Sequence, residues 1–458
     1  MIYTFYPHTK ALVMPGARSF ICLVILIFSA AQAFAQNNFK MSLKEAIEYA
    51  TQNQPAFQNY KVAQRIAAAK NLQGISEYLP TLNGTAALQN NLKLPVVALK
   101  FPNPLTGTEE NLKIQQGTTY QGAGSINLAV PVVNPAAIGD IKYDKQQQKL
   151  SDLQLQQALI DLKVNVSRAY YQVLVNQERI GKIQKNQERD QKIYDDTKAK
   201  YDNQNALKSD LNRAYLNLQN TKYSLKVSQD SIKTSASNLA QLIGLPLGSS
   251  LQLTDSLPFD VQPETLPEYP DFKAAEQARI ELKTENMQQY MNKLQLHKTN
   301  YQYIPTLSGF GVLGGLGLDN NDLFHKSDWY CNNYIGLQLT VPIFDGLQKM
   351  AISQQQKLAI RQNENNIQNI RQTINYQLTT TSVNYINAFD NLALIKDNVK
   401  LAEEVVDETN TRYQNAMATY QEVLDAENTL KDTQFNYLQA LYTFLIADLD
   451  WKKANGKL

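Results

Sequence analysis

YIGLQLTVPIFDGLQKMAISQQQ, residues Tyr334 to Gln356, contains the change of rhythm that decides the fold. Ile335, Leu337, Leu339 and Val341 occupy alternate positions, with Gly336, Gln338 and Thr340 between them. That spacing predicts a strand with one apolar and one polar face. After Pro342 the alternation stops, and from Asp345 the chain is rich in Gln and Lys, with helical spacing and no turn signal for a long way. Nearly the same phrase, SINLAVPVVNPAAIGDIKYDKQQQ, begins at Ser125. A short amphipathic strand that feeds a very long helix therefore occurs twice.

The spacing of the two copies is regular. Pro131 and Pro342 lie 211 residues apart; Lys200-Tyr201 and Arg412-Tyr413 lie 212 apart, as do Gly244 and Gly456. An offset held to one residue over more than a hundred positions indicates duplication. Upstream, YLPTL at Tyr78–Leu82 and YIPTL at Tyr303–Leu307 are 225 apart, so the copies differ by 14 residues between their two strands. Residues 36–258 and 259–458 are read as two copies of one plan: helix, strand, loop, strand, long helix, turn, helix. The Pro-rich stretch LPFDVQPETLPEYP links them.

In the first copy Ser42-x-x-Glu45 is a capping box that opens a helix running toward Glu77. TLNGTAALQNN follows, with Leu82, Ala86 and Leu88 on one face and Asn83, Thr85 and Gln89 on the other. The second strand is Tyr120 to Val130; those of the second copy are Thr306 to Leu318 and Tyr334 to Val341. Pro131 and Pro342 are each expected to end a strand, where a missing N–H costs the ladder least. Leu94 to Gly117 is expected to be an external loop. After Pro131, Leu155, Leu159, Leu162, Val166, Ala169 and Val173 form a coiled-coil seam, and Ile160, Val164 and Tyr171 a second stripe. From Ala136 to the tip near Asn203 the helix covers roughly 100 Å, whereas the returning helix, Leu207 to Gly244, covers about 57 Å and the opening helix about 54 Å. Two short helices stacked end to end match one long one. The second copy repeats this, with helices at Asp271 to Tyr303, Asp345 to Asn415 and Thr419 to Asn455.

Residues 1–35 read as a targeting segment. Lys10 and Arg18 precede an apolar core from Phe20 to Phe28, and Ala33-Phe34-Ala35 is an A-x-A cleavage signal, which predicts export. Those two are the only charged residues there, so the remainder carries 42 basic against 42 acidic side chains. A neutral balance gives no electrostatic case for nucleic acid as a partner. Mean hydropathy is −0.39, and no later stretch reaches the roughly 20 apolar residues of a spanning helix. Cys331 is the one cysteine after residue 35, which excludes an internal disulfide and a C-x-x-C metal site.

Strands of about ten residues, apolar on one face and polar on the other, have the length and pattern of an outer-membrane barrel. A barrel in lipid must pair every backbone group, and four strands are too few to close. Several chains must then share one barrel, and twelve strands from three copies leave a passage where eight would be filled by side chains. Tyr120, Trp329 and Tyr330, near strand ends, suit the membrane interface. The expected fold is mainly α, a long helical coiled-coil barrel with four strands per protomer of a shared twelve-stranded transmembrane barrel.

SLKEAIEYATQNQPAF, YLPTL, LTVPIFDG, RYQNAMATYQEVLDAEN and LQALYTFLIADLDWKKANG together resemble the TolC-type outer-membrane efflux ducts over essentially the whole chain after residue 35. The resemblance implies a homotrimer in the outer membrane of a Gram-negative bacterium, with a long helical tunnel in the periplasm. It also implies a periplasmic adaptor and, through it, an inner-membrane pump. Glu422 and Asp425, spaced i, i+3 on one helix face, match the acidic pair that rings the closed periplasmic mouth. Six carboxylates around a narrow opening would favour cations and raise one another's pKa values. Tyr413 matches a tyrosine that helps hold the mouth shut. The family's second latch, an arginine, is Ala418 here, and the glycine often found in the tip turn is Gln204 in the first copy and Ala416 in the second. The tip turns, with Gln204, Asn205, Ala206 and Leu207 in one and Ala416, Met417, Ala418 and Thr419 in the other, fall where the family docks the adaptor's helical hairpin.

Gly309-Phe310-Gly311-Val312-Leu313-Gly314 spells G-x-G-x-x-G, yet no helix follows, so a dinucleotide site is set aside; glycines facing a crowded barrel interior explain it better. His297 and His325 are far apart and lack the spacing of a metal motif. No cofactor and no catalytic constellation are read, and the chain is expected not to be an enzyme. The reading is a passive duct for efflux, with protein secretion as the alternative inside the family and a soluble periplasmic coiled-coil protein as the alternative outside it.

Overall fold

The computed structural model describes residues 38–102, 107, 109–246, 248–259, 271–321, 329–415 and 417–458. The expected targeting segment, most of the expected Pro-rich linker and His325 lie outside the described residues. The elements, in order, are β1 (Asn38–Met41), α1 (Leu43–Asn53), α2 (Pro55–Ser76), β2 (Thr81–Asn90), β3 (Val96–Pro102), β4 (Glu109–Gln115), β5 (Tyr120–Val133), α3 (Pro135–Asp202), α4 (Lys208–Ile243), β6 (Ser250–Leu253), α5 (Phe272–Ala278), α6 (Ile280–Tyr301), β7 (Thr306–Asp319), β8 (Trp329–Thr340), α7 (Gln348–Gln414) and α8 (Tyr420–Ala454). They fall into two compact units. One holds the described residues within Met1–Gln54, Asn165–Val261 and Leu392–Tyr442; the other holds those within Pro55–Val164, Gln262–Asn391 and Thr443–Leu458.

The second of these, the sheet unit, is built on an antiparallel four-stranded sheet of order β2-β5-β7-β8. Outside β7 its register sorts the side chains by chemistry, whereas β7 also carries Phe310, Val312, Leu316 and Leu318 on the face of Ser308. Leu82 faces Leu128, Ile126 faces Leu313, Leu307 faces Leu339, and Gly309 and Gly311 face Leu337 and Ile335, all on one side. Asn83 with Asn127, Thr85 with Ser125 and Ser308 with Gln338 occupy the other. Thr85 and Ser125 share a hydroxyl hydrogen bond of 2.8 Å. The apolar face is bare in the single chain: Ile335 is 90% exposed and Leu337 72%.

Several expectations about this sheet need correction. Pro131 does not end β5, which continues to Val133; it lies beside a register shift between Pro131 and Val133, and an irregularity of this kind accommodates a residue without an N–H. β8 begins five residues before Tyr334, because Asn332 and Asn333 interrupt the hydrophobic alternation without interrupting the ladder. The glycines of the G-x-G-x-x-G stretch do not gather on the polar side. Gly309 and Gly311 share the apolar face with Gly315 and Gly317, and Gly314 alone among them shares the polar one. They make room for large neighbours: a Cβ on Gly317 would sit 2.9 Å from the Trp329 ring, and one on Gly311 would touch Ile335. Leu94 to Gly117 is not simply a loop, since β3 and β4 pair antiparallel over seven residues and prolong the β2–β5 hairpin. Asn91 N–H to Thr119 O and Gln116 N–H to Pro95 O bridge the step between the two ladders.

Both expected opening helices are broken. Gln54 (φ −72°, ψ 117°) separates α1 from α2, as the following proline requires. Arg279 (φ −63°, ψ 125°) separates α5 from α6 without any proline. Against each break a returning helix ends in a left-handed glycine. Gly244, after α4, has φ +78°, and a Cβ there would lie 2.7 Å from Asn53 O; Gly456, after α8, has φ +67°, and its Cβ would lie 2.6 Å from that of Ala278. Only glycine suits both the backbone conformation and the contact. The 6%-exposed Arg279 ties its junction together, donating to both carboxylate oxygens of Glu281 at 2.9 and 3.0 Å, to Gln377 Oε1 at 2.9 Å and to Ala454 O at 3.4 Å. The sheet unit also buries Tyr385, Phe444 and Trp451, with ring centroids 5.3 and 5.6 Å from that of Tyr385.

In the helical unit, the expected seam is buried at Val166, Ala169 and Val173. β1 and β6, which the sequence reading missed, pair in parallel. Asp255, just after β6, accepts from Leu43 N–H at 2.8 Å and from the buried Tyr170 hydroxyl at 2.9 Å, so one carboxylate caps α1 and fixes α3. The Ser42–Glu45 capping box is present in full.

Candidate functional site

The two tip turns belong to the helical unit. In the first, Gln204 adopts φ +62°, and Asn205 N–H closes on Lys200 O at 2.7 Å. In the second, Met417 N–H closes on Arg412 O at the same 2.7 Å. This six-to-one closure is how a helix satisfies its last carbonyls before reversing. The turns differ in how the next helix starts. Thr419 Oγ1 accepts Glu422 N–H at 3.3 Å and donates to Glu422 Oε1 at 3.2 Å, which caps α8. Leu207, at the matching position before α4, makes no side-chain cap bond.

Gln204, Asn205, Leu207, Met417 and Thr419 are exposed, Ala206 and Ala418 half-buried, and Ala416 lies outside the described residues. Glu422 and Asp425 are exposed and share a face, but each already has a local partner: Thr419 for the first and Gln421, at 2.8 Å, for the second. Tyr413 is half-buried. The ammonium of Lys200, from the first turn, sits 3.7 Å from its ring centroid and donates to its carbonyl at 3.3 Å. Tyr420 meets Tyr413 edge-on at 6.3 Å, and burial pushes the Tyr420 phenol up from its ordinary pKa. The structure thus joins Tyr413 to the first turn and leaves the carboxylate pair in solvent.

Above the tip lies a polar cluster that the sequence reading missed. Asp190 is buried and accepts from Asn217 Nδ2 (2.8 Å), Thr221 Oγ1 (2.6 Å) and Lys431 Nζ (2.8 and 3.0 Å). The carboxylate is fully supplied with donors, and it joins α3 and α4 to α8. One turn away Arg189 Nη2 approaches the 1%-exposed Glu427 at 3.2 Å. Burial raises the Glu427 pKa, and Arg189 and Lys431 oppose that rise. A groove of about 610 Å³ runs beside this cluster, lined in part by Lys192, Lys200, Asp407 and Tyr413. The signal was available: Glu427 and Gln434 fall between Val423, Leu430 and Leu438 on the buried face of α8, where polar residues specify register and partner.

Among the described residues no group of three His, Cys, Asp or Glu side chains fits a metal ion, and no helix is long and apolar enough to cross a membrane. Residues 302–457 match the family model described as outer membrane efflux protein. Over 193 residues the chain is 26% identical to outer membrane protein TolC of Salmonella enteritidis; the match covers 41% of this chain and 39% of that relative's length. Among solved structures, CusC superposes with a TM-score of 0.72 at 15% identity, covering 90% of this chain and 92% of CusC. VceC of Vibrio cholerae gives 0.70 at 15% identity, covering 90% and 96%. The open state of the MtrE outer membrane channel of Neisseria gonorrhoeae gives 0.71 at 16%, covering 90% and 88%. At these identities the likeness is one of fold: the chain has the TolC-like fold expected from its sequence.

Proposed function

We propose that this chain, whose residues 302–457 are an outer membrane efflux protein domain, is a passive duct in the outer membrane of a Gram-negative bacterium, with a long periplasmic extension. The observation that carries the reading is the four-stranded sheet. Its β2 and β8 edges are unpaired among the described residues, and one of its faces is an exposed field of Leu, Ile and Val. In water such edges and such a face invite aggregation. In lipid the face is solvated, and edge-to-edge pairing of three copies closes twelve strands with no backbone group left over.

On this reading 36–258 and 259–458 are two copies of one plan, an idea supported by the repeated order of long helix, turn and returning helix. The tips receive a periplasmic adaptor, which couples the duct to an inner-membrane pump. Gln204, Asn205, Ala206, Leu207, Ala416, Met417, Ala418 and Thr419 provide that contact. Tyr413, Glu422 and Asp425 gate the mouth, Tyr413 through its tie to Lys200 and the carboxylates through the cations they attract. Energy for transport comes from the pump rather than from any chemistry of this chain. The cargo is small molecules on the main reading and proteins on the alternative.

Membrane fractionation with native electrophoresis tests the core of this. A trimer in the outer-membrane fraction that requires detergent is expected; a soluble monomer in the periplasmic fraction would overturn it. In planar bilayers, replacing Glu422 and Asp425 together by alanine should weaken block by multivalent cations while leaving trimers intact. Unchanged block would move the gate elsewhere.

A further inference from the structure

The four strands β2, β5, β7 and β8 hold a single charged residue, Asp319, at the end of β7 on the apolar side. The other face, which the proposed duct turns toward its passage, is uncharged from one end of each strand to the other. It is not uniformly polar. Phe310 and Val312 occupy alternate positions of β7 on that face, and the 50%-exposed Tyr334 of β8 stands opposite Val312. Four residues beyond Val312, Leu316 stands opposite Tyr330, so the pairing of an aliphatic side chain with a tyrosine recurs about 14 Å along the wall.

Strand formation does not ask for these residues, since Ser125, Asn127 and Ser308 serve on the same face. A cluster of apolar side chains on a watery wall marks a place that something apolar covers. Twelve strands leave a passage wider than side chains fill, so the rings of three copies do not cover one another across it. The cluster is held in one pose. The end of the Phe310 ring lies over Gly336, where a Cβ would stand 2.6 Å from Cζ, so the ring leans across β8 instead of standing into the passage. Tyr334 meets it edge-on, with centroids 6.1 Å apart and planes at 76°. Phe310, Val312 and Tyr334 together span about 7 Å along the strand and about 5 Å across it, the footprint of two or three fused rings. Such a surface attracts a solute through its planar apolar part and places no like charge against either sign.

We propose that Phe310, Val312 and Tyr334 form a contact site for cargo on the inner wall of the barrel, and that the cargo it takes is a small organic molecule with a planar aromatic part, cationic, anionic or neutral. This rests on the trimeric duct proposed above and deepens its small-molecule reading. Three copies place three such sites in one ring. Each is shallow and open to the passage, so it buries only one side of a solute and releases it readily, as transit requires. Selection by charge then belongs to the mouth, and the barrel adds selection by shape and apolarity.

Trimers in lipid nanodiscs are to be irradiated with two photoreactive probes of one skeleton, benzophenone-4-sulfonate and benzophenone-4-trimethylammonium, and the labelled peptides identified by mass spectrometry. Both probes should label the segment from Phe310 to Tyr334. 2-Naphthalenesulfonate should compete, and cyclohexanesulfamate, which has no flat ring, should not. Phe310→Ser with Tyr334→Ser should raise the probe concentration for half-maximal labelling roughly fivefold while trimers persist on native gels. If that double variant does not assemble, Phe310→Leu, which keeps the bulk and removes the ring, should raise it roughly twofold. An unchanged half-maximal concentration, labelling by the cation alone, or equal competition by cyclohexanesulfamate overturns the site and leaves the duct standing. Monomers of the unsubstituted chain on native gels overturn the duct itself.

Discussion

The sheet and the helical tip treat polarity in opposite ways. The sheet holds Ile335 and Leu337 outward and keeps Asn83, Thr85 and Ser125 on its other face. The tip hides Asp190 and Glu427 among helices and sends Leu207 and Met417 into solvent. One chain is therefore fitted to two surroundings. Where the surroundings are proposed to be lipid, polar groups must be paired or turned inward. Where they are water, buried charges contribute register instead, at the cost of desolvation.

Substitutions that reverse either arrangement test the contrast. The largest effect is expected at the tip. Lys431→Ala leaves Asp190 buried with two neutral donors, and losing one partner of a buried ion pair costs about 3–5 kcal/mol. Thermal unfolding should show that loss, and Lys431→Ala combined with Asp190→Asn should recover part of it. If the single change costs as little as an exposed pair, the cluster is not the clamp described here. Next comes the sheet. Leu337→Arg on the apolar face should destabilise the membrane-inserted protein by about 2–4 kcal/mol, whereas Gln338→Arg, one residue away on the polar face, should be tolerated. Equal effects at both positions would mean that the two faces meet the same solvent.

A smaller pair of changes compares the two turns. Thr419→Ala should cost about 1 kcal/mol by removing the α8 cap. Leu207→Ser should gain a fraction of that by supplying the cap that α4 lacks. Protease susceptibility near the tip would register both, and a gain at Leu207 exceeding the loss at Thr419 would contradict the capping geometry. An effect of similar size concerns Glu281. Burial works against its ionisation, but the paired bonds from Arg279 prevail and hold its carboxyl below the usual range. A lowered folded pKa adds stability above the unfolded value of 4.5, and that stability is lost as the pH falls through the folded value. Glu281→Gln should therefore lower stability at neutral pH by about 1 kcal/mol, and the gap should close as the pH drops below about 4.

Most of the architecture was legible because it is written in period and punctuation. Alternation marked the four strands, Ser42 and Glu45 marked a helix start, and Gly244 and Gly456 marked helix ends. The failures have equally specific causes. Arg279 breaks a helix without a proline, through tertiary bonds to Gln377 and Ala454 that no local pattern encodes. β3 and β4 flank the stretch NPLTGT, whose Pro- and Gly-containing composition reads as loop. β1 and β6 are four residues each, too short to show a period. The β7 glycines divide between the two faces, and the neighbours that four of them accommodate, among them Trp329 and Ile335, are cross-strand rather than sequential. At the tip, the resemblance supplied Tyr413, Glu422 and Asp425, but Asp190 and Lys431 are 241 residues apart, and only the folded chain shows them as a pair.

The free margins of β2 and β8 bear on the order of events during biogenesis. A lone copy entering the bilayer would present two rows of unmet amides and carbonyls to hydrocarbon, and two copies joined side by side would present just as many. The penalty disappears only when the third arrives, so on the proposed reading threading into the membrane is an all-or-nothing act of the completed set.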